Sequence, residues 1–410
     1  MTSVQQVPGD IQIKTISLFT NKGVVNILEH VKNISIFESI FTPGIMVEIT
    51  VWDTKNIASQ LPILGGQRLL IQFCTPGRKD LKYDLIVTDI KDAGPSENMR
   101  SKIFMLLATS PEVLRNKSNL VMKSYNTNIS SMVSDIITYY LGTKKQVDVQ
   151  QTKGIQKIII QNENPFNAIS MIRKRSISVD DKSSAFVFFE NQTGYHFKTI
   201  EKLMSGGTGD RVFTNDETIR TDITLPIFRN LINYEQPSQY NTVSRIGDGG
   251  LSVDVSKFDF KTLQYSRKST KFDPSNFKNA DGTLKDPDSD ELKQYGRSSG
   301  KLLNVFHDSS NPDTFISENS GLKNNITTLF SQGGLLLHVF GDSELTAGQM
   351  IEVKVLENAT SSGPAEEHHL LSGKYLIAFL RHEISSEGNN PRYTCSMEVV
   401  KGGYKEAANG

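Results

Sequence analysis

Apolar and polar residues alternate most cleanly between Asn33 and Phe73. Ile34, Ile36 and Ile40 open the stretch, Pro43 and Gly44 break it, and Ile45, Val47, Ile49 and Val51 then alternate with Met46, Glu48 and Thr50. A two-residue period of this kind predicts a strand with one face buried. The Gly65-Gly66 pair punctuates, and Leu69, Ile71 and Phe73 restart the alternation. Ile11 to Phe19, Tyr83 to Ile90 and Lys102 to Ala108 carry the same signal, with Asp92-Ala93-Gly94-Pro95 read as a turn and Thr54 to Leu61 as a short helix. Residues 1–108 therefore predict a small antiparallel barrel or sandwich.

The period changes after Ser110. Ile129, Met132, Val133, Ile136, Ile137 and Tyr140 fall three and four apart, which predicts one apolar helix face ending at Gly142. Asn164-Pro165 marks a second helix start, with Phe166, Ile169 and Ile172 as its buried side. Lys157 to Gln161 and a hairpin of Phe186-Val187-Phe188-Phe189-Glu190, a turn at Asn191 to Gly194, and Tyr195-His196-Phe197 complete an α+β domain over 109–205. Strand signals recur in 206–250, again at Leu251, Val253, Val255, Phe258 and Phe260, and then at Leu335 to Phe340, Gly348 to Val355, Lys374 to His382 and Arg392 to Val400. The stretch from Arg267 to Asn325 is polar and reads as loop, within an inserted domain over 251–329, and 404–410 reads as a mobile tail.

Composition narrows the classes. The 410 residues allow two to four domains, and 45 basic against 45 acidic residues argue against a dedicated nucleic-acid binder. The two cysteines, Cys74 and Cys395, both lie in predicted strands and give neither a disulfide framework nor a zinc set. No leader-like or membrane-spanning apolar run occurs, so a chain made in the cytoplasm is expected.

The chain also echoes itself. Gly66-Gln67-Arg68-Leu69-Leu70-Ile71 matches Gly348-Gln349-Met350-Ile351-Glu352-Val353, and Lys82-Tyr83 matches Lys374-Tyr375. Arg100 and Arg392 then follow the two tyrosines at the same interval, with Asn98 and Asn390 two residues before them. The reading is two copies of one barrel, the second discontinuous over 206–250 and 330–403 and carrying an extra loop at Glu357 to Leu371.

These residues carry a resemblance. Ile36-Phe37-Glu38-Ser39-Ile40-Phe41, with Asp53 and Leu61-Pro62-Ile63 ahead of the glycines, resembles the first tube domain of baseplate central hub proteins from contractile-tailed bacteriophages. That family is related to the hub part of type VI secretion spike proteins. Phe186 to Phe197 is similar to the phenylalanine strand, glycine turn and Tyr-His-Phe return of its second domain. The resemblance implies a fold of two tube-type β-barrels plus an α+β domain. It implies a homotrimer in which six similar barrels meet a sixfold tail tube while the trimer meets a threefold central spike. The enclosed channel would pass the tape measure protein and then DNA, in the tail baseplate of a virion assembled in the host cytoplasm. Nothing like a β-helical needle follows the hub-like part, so a separate spike partner is expected, and the Glu357 to Leu371 loop has no counterpart.

Candidate chemistry is thin. Glu366-Glu367-His368-His369 with His382-Glu383 is the most metal-like group, but neighbouring strand residues face opposite ways and no HExxH accompanies them. Gly296 to Leu302 lacks the spacing and the hydroxyl of a phosphate loop, and Gly206-Gly207-Thr208-Gly209 lacks the setting of a dinucleotide site. Asp286, Asp288 and Asp290 begin like a calcium loop, yet Glu291 stands where glycine is needed. Arg173-Lys174-Arg175 reads as charge complementing a helix C-terminus. The sequence thus assigns no catalytic, cofactor-binding or metal-ligating residue, and the expectation is a non-enzymatic structural protein. The alternatives are a tail-associated peptidoglycan hydrolase, which would need two carboxylates across a cleft, and the hub of a capsid-less injection system.

Overall fold

The computed structural model describes residues 8–54, 63–95, 102–180, 183–215, 229–236, 242–249, 252–271, 301–307, 323, 334–356, 367–368, 371–386 and 391–401. The expected helix at Thr54 to Leu61 and the 404–410 tail lie almost or wholly outside these residues, as do Arg100, Asn98 and Asn390.

The first alternating segments become β1 (Gln12–Thr20), β2 (Gly23–Asn26), β3 (Val31–Ser39), β4 (Met46–Asp53), β5 (Arg68–Cys74), β6 (Leu81–Pro95) and β7 (Lys102–Thr109). β6 runs through Pro95, where a turn was expected, because a register shift between Asp92 and Pro95 absorbs the irregularity without ending the pairing to β7. The mixed middle follows as α1 (Pro111–Ser118), β8 (Val121–Thr127), α2 (Ile129–Asp135), β9 (Gln146–Val149), β10 (Gln156–Glu163), α3 (Pro165–Arg173), β11 (Phe186–Asn191), β12 (Gly194–Thr199) and α4 (Ile200–Met204). Asn128 caps α2 by accepting the Ser131 amide at 2.9 Å, and Ile136–Tyr140 continues it as a wider π turn before Gly142. The predicted apolar faces of α2 and α3 pack with Phe186, Phe188, Tyr195 and Phe197 in one core, so the aromatic run is interior and not a stacking platform.

The rest of the chain gives β13 (Val212–Thr214), β14 (Leu231–Glu235), α5 (Thr242–Gly247), β15 (Ser252–Asp259), β16 (Tyr265–Lys271), β17 (Lys301–His307), β18 (Gly334–Phe340), β19 (Met350–Lys354), β20 (Gly373–Ser385) and β21 (Arg392–Val400). β17 and most of β16 fall within the polar stretch expected to be loop, and they pair on either side of β15. Sequence periodicity missed them because little apolar surface is at stake: Val253 and Val255 are their buried cluster, with Leu303 packed against it.

Thirteen strands form one curled, predominantly antiparallel sheet. Its centre is the β3·β20 pairing, where Phe379 to Ser385 lie opposite Ser39 to Asn33. On one side the order is β3-β4-β7-β6-β5, and on the other β14-β18-β21-β20-β19. These two sets repeat each other in detail. Lys32 bulges between Val31 and Asn33 against Val51 and Thr50 of β4, and Ile232 bulges between Leu231 and Asn233 against Val339 and His338 of β18. Thr88 bulges on β6 against β7, and Ala378 bulges at the corresponding place on β20 against β21. Gly66 donates its amide to the Val87 carbonyl at 2.7 Å, and Gly348 donates to Ile377 at 2.9 Å. Both glycines have positive φ, +82° and +87°.

The register corrects one detail of the sequence repeat. Val87 corresponds to Ile377, so Tyr375 stands where Leu85 stands, and Tyr83 where Gly373 stands. The matching tyrosines are two residues out of phase, a slip that preserves the inward face and therefore the hydrophobic pattern. The sets also differ at one edge, where β1 joins β5 antiparallel but β13 joins β19 parallel.

Candidate functional site

The alternation that buries Ile34 and Ile36 of β3 carries Glu38 to the same inward face. Its carboxylate is 1% exposed and sits where three parts of the chain meet. One oxygen accepts from the Tyr83 hydroxyl at 3.3 Å and the Gln192 amide at 3.1 Å. The other accepts from the Thr346 hydroxyl at 2.6 Å and the Ala347 amide at 3.1 Å. Asn191 and Gln192 reinforce the contact by donating side-chain amides to the carbonyls of Ala347 and Leu345. An apolar cluster including Ile40, Val187, Phe189, Ala347, Met350 and Leu376 lies at this junction. Burial pushes Glu38 up to about 7 even against its four hydrogen-bond donors.

A cavity of about 440 Å³ lies beside the junction, lined by Tyr83, Glu112, Arg115, Lys145 and Glu190 among others. Glu190 follows the buried run Phe186 to Phe189 and is fully enclosed, and Glu112 of α1 is nearly so. The Lys145 ammonium bridges the two, 2.9 Å from Glu112 and in direct contact with Glu190. Burial raises Glu190. At Glu112 the burial effect is outweighed by Lys145 and Thr143, so that acid stays low. Lys145 would be lowered by burial, but the two carboxylates hold it protonated. Glu190 also accepts from the Ile45 amide and the Tyr195 hydroxyl, tying β11 to the β3–β4 turn.

A cysteine and a histidine also meet. Cys395 lies 3.4 Å from His382 Nδ1, which contacts the Tyr393 hydroxyl at 2.7 Å. All three are sealed in the core. Burial pushes the thiol to about 12 and the imidazole to about 4, the reverse of what an activated thiolate requires.

The residues singled out in the sequence do not converge. Glu366 and His369 lie outside the described residues, Glu367 forms a bridge with Leu356, and His382 is internal to the sheet. The Gly296 to Gly300 segment and Asp286, Asp288 and Asp290 also lie outside them, while Gly206 to Gly209 is loop. Among the described residues no three His, Cys, Asp or Glu side chains group as a metal site, and no helix is long and apolar enough to cross a membrane. Arg173 is half-buried at the end of α3 and burial lowers it. The sequence reading missed Glu112, Lys145 and Glu190 as a group. The one available signal was Glu190 itself, a charged residue closing the apolar run Phe186 to Phe189.

The opposite face of the sheet is open. It presents Glu48, Thr50 and Trp52 from β4, Phe37 from β3, Arg381 and Glu383 from β20, Ser396 and Glu398 from β21, and His338 from β18. Charges of both signs share this face: Lys32 lies over the Trp52 ring at 4.5 Å, and Arg381 is paired with Glu383 at 3.0 Å.

No protein-family model matches the chain, and no curated protein matches it. Among solved structures, it is similar to a tail protein from Neisseria meningitidis MC58, with 10% identity and a TM-score of 0.59 over 94% of this chain and 96% of the other. It is equally similar to the 43 kDa tail protein of prophage MuSo2 from Shewanella oneidensis, with 10% identity and a TM-score of 0.59 over 95% and 99%. At such identity the likeness is one of fold, and it extends over nearly the whole length of all three chains.

Proposed function

From this tail-protein fold we propose that the chain is a structural baseplate hub of a contractile tail. Three copies close into a ring that joins a sixfold tail tube to a threefold central spike and encloses a channel for the tape measure protein and DNA. The observation that carries the reading is the repeated five-strand set, with the same bulges and the same glycine hydrogen bond in both halves of one sheet. A chain that presents one β module twice lets three subunits offer six similar surfaces, which is what a match between threefold and sixfold partners requires. In this reading 1–108 and the pair 206–250 and 330–403 are the two tube-type barrels, 109–205 is the α+β domain and 251–329 the insertion. The mixed charge of the sheet's open face suits a channel wall that does not retain a polyanion.

The hydrolase alternative gains nothing from the cavity. Its two buried carboxylates, Glu112 and Glu190, are both engaged by one lysine, whereas glycoside hydrolysis needs an acid and a base free to act on a substrate. Light scattering behind gel filtration, with and without a spike protein, and electron micrographs of the particles test the hub reading. Threefold rings support it, and a monomer under all conditions refutes it. Release of sugar fragments from cell walls, absent with heat-killed protein, would establish the hydrolase instead.

A further inference from the structure

We propose that the ring closes through a second version of the β3·β20 junction, made between subunits: β14 of one copy lies beside the Asp89–Pro95 half of β6 of the next. Pro95 holds this seam weaker than the one inside the chain, and Lys91 and Glu235 give it an ionic attraction. The inference rests on the hub reading and adds to it the partner strand, the register and the strength of the contact.

The internal repeat supplies the template. β14 occupies the place of β3 and β6 the place of β20, yet among the described residues β14 pairs only with β18, and β6 from Asp89 onward only with β7. Among the described residues, the two strands whose counterparts join within the chain thus both have an open edge, β14 beyond the Thr214–Asn230 bridge that precedes it.

Inside the chain, Ile40 donates to Ala378 at 3.0 Å and Ser386 to Lys32 at 2.7 Å. Antiparallel ladders alternate bonded and non-bonded pairs, so His382 opposite Ile36 and Ile384 opposite Ile34 are bonded pairs as well. The positions carry across by register. Cys395 and Phe104 hold corresponding places, since each lies opposite a matched residue, Val339 or Val51. Their partners His382 and Asp92 therefore correspond, and one bonded pair further along, so do Ile384 and Pro95. On the other strand Asn33 corresponds to Asn233, which puts Tyr234 in the place of Ile34 and, just past the end of β14, Gln236 in the place of Ile36.

Pro95 thus falls opposite Tyr234, and Asp92 opposite Gln236, both at bonded positions. Asp92 and Gln236 each keep a backbone amide, but proline has no amide hydrogen, so Pro95 removes one bond from the ladder. The internal seam is further held by the Phe37–Phe379 ring contact at 6.2 Å and by Arg381 donating to Ser35 at 3.0 Å. In the counterpart Asp89 replaces Phe379, while Lys91 and Glu235 replace Arg381 and Ser35. Both of these last side chains are exposed, and their charges are opposite.

The test is the protein concentration at half-assembly, read by mass photometry and sedimentation at low and high salt, on full chains whose melting curves match. Pro95→Thr is expected to lower it about tenfold, the effect of one restored backbone bond at each seam of the ring. Lys91→Glu or Glu235→Lys alone should raise it severalfold at low salt, and the two together should restore it. If the wild type forms trimers but none of these changes moves the midpoint, the seam is wrong and the hub reading stands. If the wild type never leaves the monomer, the hub reading fails and takes the seam with it.

Discussion

Replacing Glu38 by alanine should destabilise the fold by an amount that depends on pH in an unusual direction. The truncation strands four donors, of which the hydroxyls of Tyr83 and Thr346 can swing away but the amides of Gln192 and Ala347 cannot. Two orphaned buried amides cost about 2–6 kcal/mol together. Against this, alanine removes the burden of burying a charge. The folded value of about 7 lies above the ordinary 4.5. Stability from this group is therefore fully present below about 4.5 and is lost as pH rises through 7, in total about 3 kcal/mol. Glu38→Ala is then expected to cost about 2.5 kcal/mol more at pH 5 than at pH 8, where the wild type already bears the charged carboxylate. Trp52, the sole tryptophan, lies on the adjoining β4 and reports urea unfolding by its fluorescence. A cost that is equal at the two pH values, or greater at pH 8, would refute the assignment of Glu38 as the group that titrates at the junction.

Three further outcomes follow from the geometry. Lys145→Met should lower stability by about 3–5 kcal/mol in chemical unfolding, because it leaves two buried acids facing each other, and adding Glu112→Gln and Glu190→Gln should recover most of the loss. Gly348→Ala should destabilise more than Gly66→Ala in the same assay, although both have left-handed φ: an added methyl meets the Phe189 ring at 2.8 Å at the first and nothing at the second. In the native protein at pH 8, Cys395 should resist a thiol reagent that labels it readily in urea, since burial keeps the thiol protonated.

The sequence was most legible where one face of an element is apolar. The alternations at Ile45 to Val51 and Leu69 to Phe73, and the three-four spacing at Ile129 to Ile137, all appear as β4, β5 and α2 with the predicted residues inward. The repeat was legible through Gly66 and Gly348, because a left-handed φ leaves a mark on the sequence. The bulges at Thr88 and Ala378 leave none, being a matter of backbone hydrogen bonds, and the shared Lys-Tyr pairs mislead because identity of residue type does not fix the register that places Tyr375 at Leu85. β16 is hidden by its polarity, and β17, though it carries Leu302, Leu303, Val305 and Phe306, by its place within a long polar run. The Glu112, Lys145 and Glu190 group could not be read as a group, since its members lie far apart in the chain and meet only through tertiary packing.

The β3·β20 pairing also constrains how the polypeptide is made. Ser35 and its partner Arg381 are 346 residues apart, so at a synthesis rate of roughly 5–20 residues per second the outer margin of β3 waits on the order of 20–70 s for its mate to leave the ribosome. Throughout that interval a nascent chain exposes a long, bare strand margin in the crowded vicinity of other nascent copies. Demand for a holdase should therefore peak late in translation and end abruptly once β20 emerges.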